Sequence, residues 1–233
     1  GIQNVMEKIQ KKEINSFIFD IGVSSMQLDN PDRGFSFQKE GPLDMRMNSS
    51  GKTAAELIVN VNEDDLANII YHYGDEKNSR KIAKRIVEYR KHSKITTTTE
   101  LATIVKNCFP SKYYKKHPAT KTFQAIRVYL NNEIEELCDG LNNAAKYLSE
   151  GGKICIVSFH SLEDRLIKKF FQFGADNQDL NKNFLDKYRN KVIQPSSREI
   201  QMNPRSRSAK LRFATRNQNK FTSVKLTELG FEQ

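Results

Sequence analysis

The run Phe17-Ile18-Phe19, closing on Asp20 and followed by Gly22, constrains this chain more than any other stretch. A short apolar run that stops on an acid predicts a buried strand of a parallel sheet. Ligands of open α/β sheets sit just outside the carboxyl ends of such strands, which is where Asp20 falls. Gly22 lets the backbone turn or come close to something. Ser24, Ser25 and Gln27 set short polar groups along the same rim. Read alone, the stretch also fits an ordinary strand running into an Asp-Gly-type turn.

A second strand is predicted over Lys153–Phe159. It follows one long helix from Thr122 to Leu148, with Phe123, Ile126, Leu130, Ile134, Leu137, Leu141, Ala145 and Leu148 inward and Gly151-Gly152 as its stop. Ser161 starts the next helix, with Leu162, Leu166, Ile167 and Phe170 inward. Helix, Gly-Gly, strand, polar tip and helix make a βαβ-type rhythm. Gly1–Lys12 predicts a helix beside the first strand. Leu211–Ala214 alternates as a last strand, and the tail after Arg216 reads as loosely ordered.

Between the two strands the pattern is helical. Thr53 with Glu56 and Thr97 with Glu100 are capping boxes, Asn62 caps another helix that Gly74 ends, and a fourth carries Ile82, Ile86 and Val87 inside. This predicts a small all-α unit inserted into an α/β protein. That fourth helix is rich in Lys and Arg on its outer side. The pattern fits a solvated face or a surface for RNA phosphates equally well.

The segment from Leu28 through Phe37 to Gly41-Pro42-Leu43-Asp44-Met45-Arg46-Met47 has no period of 2 or 3.6. Long structureless loops in compact domains are usually functional. From Asp20 to Met47 the chain resembles the RsmH (MraW) family of S-adenosylmethionine-dependent ribosomal RNA cytosine-N4 methyltransferases. The resemblance returns at His117–Arg127, at Ser158–Arg165 and at Asn203–Ser208, four blocks in the family's order.

The resemblance implies a Rossmann-like α/β methyltransferase fold with an inserted all-α substrate-recognition domain. The domains then run 1–27, 28–118 and 119–233, with the insert in the middle and a basic C-terminal tail. The family's glycine-rich strand-to-helix loop and ribose acid lie upstream of this region, and neither occurs here. The expectation is therefore a partial sheet, in a fragment that alone binds the cofactor poorly.

The cofactor implied is S-adenosyl-L-methionine, and no metal is needed. The Asp and Gln of the family's Asp-Leu-Gly-Val-Ser-Ser-x-Gln motif map onto Asp20 and Gln27, with Ser24 and Ser25 between them; Ile21 and Met26 depart from the motif without touching its polar positions. Asp20 also sits where N4- and N6-amino methyltransferases carry their Asp/Ser-Pro-Pro-aromatic motif, although that element is absent. Its role in orienting the base thus rests on position.

His160 is the candidate general base, against the plainer reading of a capped helix N-terminus in which Ser161 caps and the acids suit the dipole. Arg33, Arg46, Lys121, Arg127, Glu163 and Arg165 are the candidate substrate contacts. The partner implied is small-subunit ribosomal RNA, or the assembled small subunit, methylated near the decoding centre in the cytoplasm. A homodimer is compatible with this reading.

Composition bounds the alternatives. No run approaches the roughly 18 apolar residues of a membrane-spanning helix, and no signal peptide is visible. Cys108, Cys138 and Cys155 share no metal-ligand spacing and read as buried free thiols. The net charge of +10 favours a polyanionic partner. It also fits the rival reading, a basic RNA-binding or ribosome-assembly protein without catalysis.

Overall fold

The structure is a computed structural model that describes residues 1–48, 50–111, 114, 116–188 and 190–231. Among them are three strands and ten α-helices in the order α1 (Ile2–Lys8), β1 (Ile14–Asp20), α2 (Ser25–Asp29), α3 (Ala54–Asn60), α4 (Glu63–Gly74), α5 (Ser79–Arg90), α6 (Thr98–Lys106), α7 (Thr120–Leu130), α8 (Glu133–Tyr147), β2 (Leu148–Ser158), α9 (Ser161–Asp176), α10 (Ser197–Met202) and β3 (Lys210–Thr215). The chain divides into two compact units. One comprises residues 1–22 and 134–233, the other residues 23–133.

The first unit holds the sheet, in the order β1-β2-β3. β1 and β2 are parallel, so Asp20 lies beside Val157 at their carboxyl ends; β3 is antiparallel to β2. One face carries Ile154, Ile156 and Ala214 and is buried with Phe170 and Phe171 of α9. The other face presents Ile18 at 80% exposure and Phe213 at 41%. The expected buried first strand is thus an edge strand, and no strand pairs with its outer side among the described residues. An apolar run records β-propensity but does not say which face is covered.

Two further expectations of this unit need correction. β2 begins at Leu148 and runs through Gly151-Gly152, with a register shift opposite Ile14–Ser16, where a helix stop was expected. The tail is anchored: Val224 and Leu229 are buried, Val224 N–H donates to Asn142 Oδ1 at 2.8 Å, and Lys169 Nζ donates to the Leu229 carbonyl at 2.6 Å. Its apolar residues are too sparse to show a period. The three thiols are free, with Cys108 and Cys138 buried and Cys155 half-buried. Burial pushes the Cys138 thiol up to about 11.

The second unit is helical, as the capping boxes at Thr53 and Thr97 foretell. Its core gathers Ile58, Leu66, Ile70, Ile82, Ile86, Leu101, Val105, Phe123 and Ile126. Phe35, Leu43 and Met45 join that core, so the stretch expected to be a structureless loop is packed. It is tied down by Leu43 N–H to the Thr96 carbonyl and by Ala55 N–H to the Leu43 carbonyl, both 2.8 Å. Gly34 turns at φ +68, and a Cβ there would run into Pro42 and Asp44. The helix expected over Thr122–Leu148 is two helices, broken at Asn131-Asn132, where Asn132 takes φ +49; Asn tolerates this left-handed conformation. α4 ends at Gly74 as expected, and the left-handed cap falls on Asp75. The basic hinge expected at Lys112–Thr122 lies partly outside the described residues.

Candidate active site

In the first unit the two parallel strands bring Asp20, beside Val157, and Ser158 to one sheet end, Asp20 on the open face with Ile18 and Ser158 on the buried face with Ile154 and Ile156. Asp20 is exposed, and no side-chain hydrogen bond or ion pair engages it among the described residues. Ile21 N–H extends the pairing to the Val157 carbonyl at 3.2 Å. Gly22 then turns at φ +101, and a Cβ there would sit 3.9 Å from Glu163 Oε1. The backbone after Asp20 therefore passes close to the first turn of α9.

That first turn is built around Glu163, which is only 3% exposed. Its Oε2 accepts from Phe159 N–H at 2.9 Å and from His160 N–H at 3.2 Å. His160 Nδ1 in turn accepts from Glu163 N–H at 3.3 Å, which completes a reciprocal cap. The N-cap is thus His160, where Ser161 was expected. A His is a poor sequence signal for a cap, but the acid three residues on marks the box.

The Nδ1 contact leaves the neutral ring's proton on Nε2. Nε2 lies 3.0 Å from Glu163 Oε1, close enough for an ion pair when the ring is charged, but outside hydrogen-bond geometry. Ser158 Oγ is also buried without a hydrogen-bond partner.

Asp164, the next residue, faces the sheet. Arg212 donates to it through Nε at 2.6 Å and Nη2 at 3.2 Å, and Lys210 Nζ at 2.9 Å. Burial pushes its carboxyl up, but the Arg212 and Lys210 bonds outweigh that and hold it below the usual range. The basic C-terminal stretch thus spends Lys210, Arg212 and the buried Arg216 internally, while Arg198, Arg205 and Arg207 are exposed.

The remaining candidates lie in the second unit, except Arg165, which is exposed on α9 with its guanidinium 5.9 Å from the Phe231 ring. Ser24 caps α2 in a reciprocal box with Gln27, whose Oε1 accepts from Ser24 N–H at 2.8 Å. Ser25 is exposed at the first helical position. Arg33 Nη2 donates to the Arg46 and Met47 carbonyls at 2.7 and 3.1 Å. Arg46 grips Asp44 through Nε and Nη2 at 2.8 and 2.7 Å; this bond holds the Asp44 carboxyl low. Arg127 pairs with Glu133 at 2.8 and 2.9 Å, and Lys121 Nζ donates to the Asp75 carbonyl at 2.7 Å. Sequence reasoning missed Asn131, whose side chain holds Met47 N–H at 2.8 Å and the Met45 carbonyl at 2.9 Å. The doubled Asn between two apolar helical patterns is its only signal.

Comparison with known proteins decides what frame this geometry belongs to. The model of the MraW methylase family matches residues 1–217. The chain belongs to the MraW methylase family. One relative, from Ehrlichia canis, is 51% identical over 216 residues, covering 91% of this chain and 72% of its own length. Another, from Rickettsia bellii, is 48% identical over 223 residues, covering 91% of this chain and 73% of its own length. Both are named ribosomal RNA small subunit methyltransferase H. All the candidate residues fall inside the part that matches the MraW methylase model.

Proposed function

We propose that this chain belongs to an S-adenosylmethionine-dependent methyltransferase that acts on the N4 amine of a cytosine in small-subunit ribosomal RNA, near the decoding centre. The observation that carries the reading is the exposed, unpartnered Asp20 at the carboxyl end of the parallel β1–β2 pair, where ligands of such sheets bind. Family membership and the names of the relatives favour ribosomal RNA as the substrate. We further read the fold as a Rossmann-like methyltransferase sheet, with residues 23–133 as the substrate-recognition domain.

The groups at the strand end suit this cofactor. Asp20 offers a carboxylate to a cationic ligand, and the left-handed turn at Gly22 leaves the backbone approachable. When bound, the cofactor supplies an electrophilic methyl group on a sulfonium. Asp20 would hold it; the resemblance implies a cofactor contact for Gln27 as well, whose Oε1 accepts from Ser24 N–H in the α2 cap.

The chain's remaining task is to orient the acceptor amine, whose lone pair is delocalised into the ring. Asp20 accepts one N4–H and so turns the lone pair outward. Water reaches the exposed Asp20 carboxylate and takes the released proton, so no buried base is required. His160 and Glu163 fix the turn beside it: with Nδ1 engaged and Nε2 protonated, the His160 ring has no free lone pair. Arg33, Arg46, Lys121 and Arg127 shape the helical unit through their main-chain and ion-pair contacts. Arg165 is the exposed cation nearest in sequence to this turn.

The test is transfer from labelled S-adenosylmethionine to small ribosomal subunits, read by nucleoside mass spectrometry. The expected product is N4-methylcytidine. Label on another base or on protein would refute the assignment, and RNA binding with no transfer by a protein that does bind S-adenosylmethionine would favour the non-catalytic assembly protein.

A further inference from the structure

The positive charge of this chain is segregated. Residues 77–116 contain twelve Lys and Arg against two acids, Glu88 and Glu100, an excess of ten that equals the net +10 of all 233 residues. The rest of the chain is neutral. Within this segment Arg80, Lys81, Lys84 and Arg85 are exposed on α5, and Lys106 is exposed at the end of α6. The two helices pack on each other. Lys81 and Arg85 lie near enough to the buried Cys108 thiol, just beyond α6, for their charges to favour its ionised form.

This arrangement is not what folding needs. Like charges at i,i+3 and i,i+4 on one helix repel. Arg80 and Lys81 occupy the first turn of α5, against the helix dipole and without an acid there. Arg80 has a distant exposed partner in Asp64 at 3.3 Å, and Arg85 has Glu88 at 3.8 Å. Lys81, Lys84 and Lys106 have no acid within ion-pair reach among the described residues. By contrast Arg90, the last residue of α5, is used internally: it donates to the Ile58 and Val61 carbonyls at the end of α3.

We propose that the α5–α6 face is the docking surface for the phosphate backbone of the RNA substrate. This rests on the ribosomal RNA reading above and names the surface that engages it. Two observations favour RNA over other polyanions. The apolar side of α5, Ile82, Ala83 and Ile86, is buried in the core, so the helix has no face to insert into a membrane. Neither α5 nor α6 exposes a large apolar side chain to anchor a protein partner.

The experiment compares the full chain with its Lys81→Gln/Lys84→Gln/Arg85→Gln/Lys106→Gln variant. Binding to transcribed small-subunit ribosomal RNA is followed between about 50 and 200 mM salt. Each lost phosphate contact flattens the log–log slope by roughly 0.7–0.9, so the variant should lose about 3. The all-Arg or all-Lys version of the same positions should keep the slope. Unchanged circular dichroism shows that the variant is folded. A folded variant with the parental slope overturns the proposal while leaving the methyltransferase reading intact. A parent that neither binds nor methylates the RNA overturns both. Loss of binding to phosphatidylserine vesicles with RNA binding unchanged also overturns it, in favour of a membrane.

Discussion

Arg212 Nε donates to Asp164 Oδ1 at 2.6 Å, and this buried pair joins the last strand of the sheet to the first turn of α9. Arg212 Nη1 continues to Tyr188 Oη at 2.8 Å. The residue before Asp164 is Glu163, which closes the turn beside Asp20's strand. Where α9 begins is therefore set from β3, on the far side of the sheet from β1. Arg212→Met leaves the Asp164 carboxylate with Lys210 as its remaining cation and should cost about 1.5–3 kcal/mol, less than a wholly unpaired buried charge would. Replacing both residues by apolar ones should cost much less, because no buried charge remains. Urea unfolding of the single and double variants checks this.

The same pair gives stability a pH dependence of definite sign. The Asp164 carboxyl is lower in the folded protein than its unfolded value of 3.8, and Asp44 is shifted the same way by Arg46. The unfolded state therefore binds protons first as pH falls. The stabilisation is fully present above the unfolded value, shrinks as pH drops below about 4, and is gone below the folded values. Melting temperature should fall over that acid range, and Asp164→Asn should flatten the fall.

Arg33 and Asn131 hold the 45–47 backbone from two sides, through the Met47 carbonyl and the Met47 N–H. Arg33→Gln should thus act on stability, by about 1.5–3 kcal/mol for a hydrogen bond from a charged donor. The salt slope of RNA binding should not change. A normal melting curve together with a flattened slope would return Arg33 to the phosphate contacts.

The helical unit was legible because its signals are local. Thr53 with Glu56, Asn62, and Thr97 with Glu100 each announce a helix start, and the apolar stripes behind them are the ones buried. The sheet was legible as strands but not as a layer, since Ile18 and Phe213 look no different in sequence from Ile154 and Ile156. The candidate site divides the same way. Asp20 follows from its place at a strand end. The internal use of Arg33, Arg127, Arg212 and Arg216 was hidden, because partners 6 to 48 residues away are set only by the fold.

Asp20→Ala should leave the fold intact, because the side chain is exposed and holds nothing else in place. Losing a charge-assisted acceptor costs about 1.5–3 kcal/mol, a roughly ten- to hundredfold effect on methyl transfer. If the loss falls on turnover at saturating cofactor, Asp20 orients the amine; if it falls on cofactor affinity alone, Asp20 only binds. Gln27→Ala should be milder on transfer and should also loosen α2, since it breaks the cap with Ser24. Near-normal turnover together with unchanged cofactor affinity in the Asp20 variant would move the active site elsewhere.

His160→Asn separates capping from catalysis. Asn is among the best N-cap residues, and its side-chain oxygen can take the Glu163 N–H that Nδ1 now accepts. Stability should therefore stay within about 1 kcal/mol of the parent, whereas His160→Ala should lose about that much or more. A general base contributes typically 10²–10⁴-fold, and Asn cannot replace one. A capping and positioning His160 predicts that the Asn variant keeps turnover within several-fold and the parental pH–rate profile. The Ala variant should then be impaired through the displaced turn, with much of the defect restored in the Asn variant. A hundredfold loss in a fully stable Asn variant would make His160 the base after all, and the 3.0 Å approach of Nε2 to Glu163 Oε1 would become the contact that orients it.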